Sequence, residues 1–201
     1  MPPRPSLKTS LRAIERAVVL PVVILLAPLW ASASGDFHGV KDPSTQMLAS
    51  GSKVLVECDD RGFSYDMEKE FLQVLAPDTA IEAIPASRLF LPTRTYTDSD
   101  RERMLDEAGI HYILRIVVRS EDQLKKSVVV ATSPTTAVAV PRNAGLAADF
   151  DVELDSRSGG PKLWVATAHY RGSSRDDVAD AVADHSVNDL IKQGVLPKHH
   201  K

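Results

Sequence analysis

The stretch Ala148-Asp149-Phe150-Asp151-Val152-Glu153-Leu154-Asp155 alternates strictly between apolar and acidic residues. A period of two belongs to a β-strand with one packed face and one wet face, so Phe150, Val152 and Leu154 are expected inward and the four acids outward. After it, Ser156-Arg157-Ser158-Gly159-Gly160-Pro161 supplies turn chemistry, and Lys162–Arg171 reads as the returning strand. This hairpin sets the fold class, because it puts antiparallel pairing in the carboxyl-terminal half of the chain.

Working towards the amino terminus, His111–Arg119 is a strong strand with Tyr112, Leu114, Ile116 and Val118 on one face. Ser127–Thr132 and Thr135–Val140 read as further strands. A helix ending at Ala108 precedes them, capped by Asp98, Ser99 or Asp100 and stopped by Gly109. Lys53–Cys58 is a β-branched strand, and Thr79–Ile84 is a weaker one ended by Pro85. Between these two, Tyr65–Leu75 has Phe63, Met67, Phe71, Val74 and Leu75 at helical spacing, with Pro77 closing the helix. A last helix from about Asp176 to Gln193 buries Ala179, Val182, Ala183, Ser186, Leu190 and Ile191, and Gly194 ends it. The order is β-α-β-α, then antiparallel strands and a carboxyl-terminal helix. The expected fold is an α/β (α+β-like) two-layer mixed sheet with helices mainly on one face.

The expected boundaries are a signal peptide at 1–33, a linker at 34–52, a single α/β domain at 53–196 and a tail at 197–201. Arg4, Lys8, Arg12 and Arg16 face one acid, Glu15, before an uncharged run from Ala17 to Gly35 that contains Ala31-Ser32-Ala33. A basic region, a short apolar core and an A-x-A end are the parts of a secretory signal, with Ala31 and Ala33 as the small residues of the cleavage site. Pro21 and Pro28 interrupt a core already short for a bilayer, so cleavage after Ala33 is favoured over a retained anchor. No Cys stands near the site, which excludes lipid attachment through a cleavage-site thiol. Removing residues 1–33 leaves 20 bases against 26 acids, net charge −6 where the whole chain has −3. A periplasmic or secreted protein of that balance has no electrostatic reason to bind nucleic acid. It meets a membrane only through the signal segment, if that is uncleaved.

Chemistry is sparse. Cys58 is the one thiol, so no intramolecular disulfide forms. Cys58-Asp59-Asp60 ends the first strand, where open α/β sheets often place their sites, and the acid pair is the candidate for a metal-dependent hydrolase. Its plainer reading is a pair of solvated loop acids beside a helix start. The ladder Asp149, Asp151, Glu153, Asp155 could attract a cation or a basic partner. As a wet strand surface it resists edge aggregation, with Arg115 and Arg119 offsetting its repulsion. His169, His185 and the His199-His200 pair have no ligand-spaced companions. No nucleophile elbow, zinc-protease helix or phosphate loop is present, so no catalytic residue, metal ligand or cofactor is assigned. Residues 85–98 form a long irregular stretch with Arg88, Phe90, Arg94 and Tyr96, the residue types that protein interfaces concentrate. These four are the candidate partner contacts. Trp164 is expected in the core.

Two stretches carry a resemblance: Leu105-Asp-Glu-Ala-Gly-Ile-His-Tyr-Ile-Leu-Arg-Ile-Val-Val118 and Asp151-Val-Glu-Leu-Asp-Ser-Arg-Ser-Gly-Gly-Pro-Lys-Leu-Trp-Val-Ala-Thr-Ala168. The first is similar to the helix–glycine–strand pattern of bacterial envelope accessory domains, and the second to their hairpin before the last helix. That group includes the curli secretion lipoprotein CsgG, the LpoB activator of penicillin-binding proteins and the TolB amino-terminal domain. The matching order spans roughly 53–193. The lipobox Cys of most such proteins is absent, and 85–98 has no counterpart. The resemblance implies a non-enzymatic envelope module that contacts another envelope protein, or a subunit of a homo-oligomeric assembly.

Overall fold

The computed structural model describes residues 33–133 and 136–199, and of residues 126–143 the backbone alone. The strands are β1 (Ser34–Lys41), β2 (Lys53–Cys58), β3 (Glu82–Pro85), β4 (Tyr112–Ser133), β5 (Thr136–Ser156) and β6 (Trp164–Gly172). The helices are α1 (Ser64–Asp78), α2 (Ala86–Leu89), α3 (Asp98–Ala108) and α4 (Arg175–Lys192). They build one mixed sheet in the order β1-β6-β5-β4-β2-β3. β2 runs parallel to β3 and β4, and every other pairing is antiparallel.

The alternation of β5 works as its sequence requires. Phe150, Val152 and Leu154 are at most 1% exposed. They join Leu114 and Ile116 of β4 and Trp164, Ala166 and Ala168 of β6 beneath α1 and α4. Phe63, just before α1, meets Phe150 edge-on at 5.3 Å and 87°. Trp164 is fully buried, and its indole N–H donates to Asp189 Oδ2 of α4 at 2.9 Å.

β2 is apolar on both sides. Val54 and Val56 enter the main core, while Leu55 points the other way into a second cluster with Ile84, Phe90, Leu105 and Ile110. The short helices α2 and α3 therefore lie on the opposite face from α1 and α4, over the parallel strands only. Thr97 caps α3, accepting the Asp100 N–H at 3.2 Å while Asp100 accepts back from the Thr97 backbone. That capping box sits one residue before the Asp98, Ser99 or Asp100 expected as the cap. Gly109 ends the helix at φ 67°, as its position predicts.

Several boundaries differ from the sequence reading. Residues 34–41, expected as part of a linker, are the edge strand β1, paired with β6 along its whole length. Ser-Gly-Asp-Phe-His-Gly has weak strand preference, so tertiary pairing decides here. Phe37 stacks on Trp164 at 6.2 Å. A Cβ at Gly39 would lie 2.2 Å from Asp189 Oδ2, so a larger residue there displaces the carboxylate that holds the Trp164 indole. The start of the expected tail is docked too: His199 N–H donates to Asp78 C=O at 3.0 Å, and Lys198 bridges Thr79. Pro77 lies inside the last turn of α1, not beyond it. β4 and β5 are each one long strand, where the sequence reads as several. Their ladder continues past Gln123↔Leu146, the end of the β5–β6 pairing, as a two-stranded ribbon. The signal segment 1–32, with Ala31, lies outside the described residues. Among the described residues no helix is long and apolar enough to cross a membrane.

Candidate functional site

Beyond α3, the sheet face opposite α1 and α4 is open among the described residues. Strand register sets its residues in rows: Glu57–Arg115–Glu153–Val165–Val40, then Val117–Asp151–Thr167–His38, then Asp149–His169–Asp36. Every acid of the β5 ladder has a partner. Arg119 Nε donates to Asp151 Oδ2 at 2.6 Å, and Lys162 pairs with Glu153. Arg115 bridges Glu57 at 3.1 Å and Asp155 at 3.6 Å. His169 Nδ1 lies 2.6 Å from Asp149 Oδ1, and Ser120 donates to the other oxygen of that carboxylate. Hydrogen bonds from Ser120 and then His169 hold the Asp149 carboxyl below the usual carboxylate range. The ladder is thus a lattice of cross-strand pairs, with Arg115 and Arg119 in the balancing role their positions suggest.

Across β5, β6 and β1 this face dips into two adjoining troughs of about 310 Å³ each, which share His38, Asp151 and Thr167. Val40 and Val165 stand side by side in register at the floor's edge, 49% and 37% exposed. The sequence reading missed this surface. Its signal was the alternation Trp164/Ala166/Ala168 against Val165/Thr167/His169, which already assigns a wet face to β6.

The second candidate is the crevice at the carboxyl end of β2. The chain leaves β2 for β3 on one side and returns to β4 on the other, which makes this a topological switch point. A pocket of about 290 Å³ lies there, lined in part by Glu57, Cys58, Asp59, Glu68, Ser87 and Arg101. Glu68 is 5% exposed and accepts the Ser87 N–H at 3.1 Å and its hydroxyl. Burial raises its carboxyl above the ordinary range despite those bonds. Burial likewise pushes the Cys58 thiol up to about 12, helped by the nearby Asp59, Asp60 and Glu68 charges. Such a thiol stays protonated and is a poor nucleophile. Asp59 Oδ1 accepts the Val118 N–H at 3.0 Å, and Asp60 Oδ1 accepts Gly62 N–H at 2.7 Å and Phe63 N–H at 3.1 Å. Both acids are tied to backbone. Among the described residues no group of three or more His, Cys, Asp or Glu is placed to hold a metal ion.

The 85–98 segment divides the four partner-contact candidates. Phe90 is 8% exposed and packs with Leu55 and Leu105. Tyr96 meets it edge-on at 5.6 Å, and its hydroxyl accepts the Leu91 N–H at 3.0 Å. The Arg101 guanidinium covers the Phe90 ring at 4.2 Å from the centroid. Phe90 thus packs into that cluster, and Tyr96 braces it. Arg88 and Arg94 remain exposed.

No family model matches the chain, and no curated protein matches it. Among solved structures, the PelC dodecamer from Paraburkholderia phytofirmans is similar at 18% identity, over 78% of this chain and 97% of that one, with TM-score 0.46. A single-substitution variant of the same dodecamer gives 18% identity, 75% and 94% coverage and TM-score 0.47. TolB from Acinetobacter baumannii, one of the proteins the sequence pattern resembles, is similar at 13% identity over 79% of this chain and 32% of that one, with TM-score 0.39. With TM-scores below 0.5, none of them bears on what this chain binds.

Proposed function

We propose that the chain is an exported, non-enzymatic binding module of the bacterial envelope that contacts another envelope protein through the open face of β5, β6 and β1. The observation that carries this reading is the pair Val40 and Val165, exposed side by side next to a trough and ringed by charges already matched to one another. A partner seated there covers apolar surface without stranding an unpaired charge, which is how interface centres differ from their rims. Export rests on the basic-apolar amino-terminal pattern with Ala31 and Ala33. A metal-dependent hydrolase using Asp59 and Asp60 is disfavoured, because both carboxylates are committed to backbone N–H groups.

The test is site-directed photo-crosslinking in cells that express the chain from residue 1. A probe at Val165 is expected to give an adduct with a distinct envelope protein, and a probe at Arg94 to give none. Adducts from Arg94 alone would return the contact to the 85–98 segment. Adducts at Val165 that contain only this chain would leave the module without its partner.

A further inference from the structure

The two edges of the sheet are not alike. β3 has four residues and ends in Pro85, a short edge that offers little to a new strand. β1 has eight residues, no Pro and no bulge, and among the described residues it is paired on one side only.

Which groups it presents follows from its register. Asp42 N–H donates to Leu163 C=O at 3.0 Å, one step beyond the Lys41↔Trp164 pair. By the alternation of an antiparallel ladder, the even-numbered residues turn their N–H and C=O towards β6, and Gly35, Phe37, Gly39 and Lys41 turn theirs to the free edge. The Gly39 carbonyl agrees, since it faces away from β6 and accepts from Gln193 Nε2 at 3.0 Å. A second lone pair remains on that oxygen.

We infer that β1 pairs, antiparallel, with the β1 of a second copy of this chain, about a two-fold axis at Phe37. The segment Gly35-Asp36-Phe37-His38-Gly39 is symmetric in its chemistry about that residue. Antiparallel partners share a face, so the axis sets Asp36 opposite the partner copy's His38, His38 opposite its Asp36, and glycine opposite glycine. The neighbouring registers lack this match. An axis at Asp36 sets two carboxylates against each other, an axis at His38 sets Asp36 against a valine, and an axis at Gly39 sets Asp36 against Asp42. The match of an acceptor carboxylate with an imidazole donor therefore selects one register out of four. The paired backbone groups are those of Gly35, Phe37 and Gly39, the ones β6 leaves free. The pairing extends the six-stranded sheet into a continuous one across two copies and brings their open faces side by side. It does not depend on what binds those faces.

Sedimentation equilibrium of the chain expressed from residue 1, in the processed form that accumulates, is the test. The wild type is expected to form an even-numbered assembly at concentrations on the order of tens of micromolar, as suits an edge contact smaller than a standard interface. Asp36→Lys removes the carboxylate that accepts from the His38 ring opposite, and His38→Glu sets two carboxylates opposite each other; each is expected to weaken the assembly by about tenfold. The double variant Asp36→Lys/His38→Glu reverses the pair and is expected to recover most of the loss. Both side chains are exposed, so the fold tolerates the changes. Amide exchange at Phe37 gives an independent readout and is expected to slow as concentration rises. A monomer at every concentration, an odd-numbered assembly, a double variant no better than its parents, or Phe37 exchange that ignores concentration would each overturn the inference.

Discussion

On one face of the sheet, Leu55 of β2 is 0% exposed beneath α2 and α3, while Val165 of β6 on the same face is 37% exposed. The two strands differ in a way their sequences state. β2 is apolar at Val54, Leu55 and Val56 in succession, as a parallel strand covered on both sides requires, and β6 alternates. The parallel end of the sheet is thus built as a three-layer sandwich and the antiparallel end as two layers. The lesson is positional: the helices that turn the chain from β3 back to β4 stop where the crossover stops. The rest of the face is left to cross-strand ion pairs.

The largest expected effect breaks this contrast at its two ends. Leu55→Ala should cost about 3 kcal/mol, because it removes buried methyl groups and leaves a cavity between sheet and α3. Val165→Ala should stay within about 0.5 kcal/mol, as surface changes usually do. Denaturant melts of the two variants check this, and equal losses would mean that the antiparallel face is covered as well.

A smaller effect probes how the cover is held. Thr97→Ala removes the side-chain half of the α3 capping box, leaving the Asp100 carboxylate on the residue-97 backbone N–H, and should cost about 1 kcal/mol. Thr97→Ser should restore most of it. Amide exchange sharpens the comparison: protection should fall at Leu105 and Ile110 and stay unchanged in β6. Loss spread evenly over the sheet would make the two ends one cooperative unit.

How much of this was readable beforehand follows from the physics of each element. The β5 alternation, the α4 stripe and the Gly109 stop declare themselves because local sequence and tertiary burial agree there. β1 does not, since two glycines and a histidine carry no strand pattern, and only the edge of β6 and the ring of Trp164 make a strand of them. β4 and β5 read as fragments because Ser120–Lys126 is polar, and a two-stranded ribbon needs no buried face to continue its ladder. The candidate site divides in the same way. Arg115 and Arg119 were legible as partners of the acids by period alone. The burial of Phe90 was not legible, because an aromatic in an irregular segment looks the same whether it faces a partner or a core. Its neighbours Leu55 and Leu105 are far away in sequence.

The smallest effects are the most diagnostic, because a buried carboxyl at the covered end and a half-exposed one at the open end are perturbed in opposite directions. Glu68, at the covered end, is raised by burial above its ordinary 4.5, so the folded state holds the proton more tightly than the unfolded chain. Stability therefore falls as pH rises from about 4.5 through the folded value, and the penalty is constant above it. Asp149, at the open end, is lowered below its ordinary 3.8 by Ser120 and His169. Its contribution is fully present above that value and is lost as pH falls through the folded one. Glu68→Gln should therefore raise Tm at pH 7, with the gain vanishing below about pH 4. Asp149→Asn should lower Tm slightly at pH 7, and that loss should vanish only in stronger acid. The second shift is the smaller one, since the Asp149 side chain is 48% exposed and water screens its partners. Thermal melts of both variants from acid to neutral pH decide the matter. Differences of the same sign would mean that the two ends of the sheet do not treat charge differently after all.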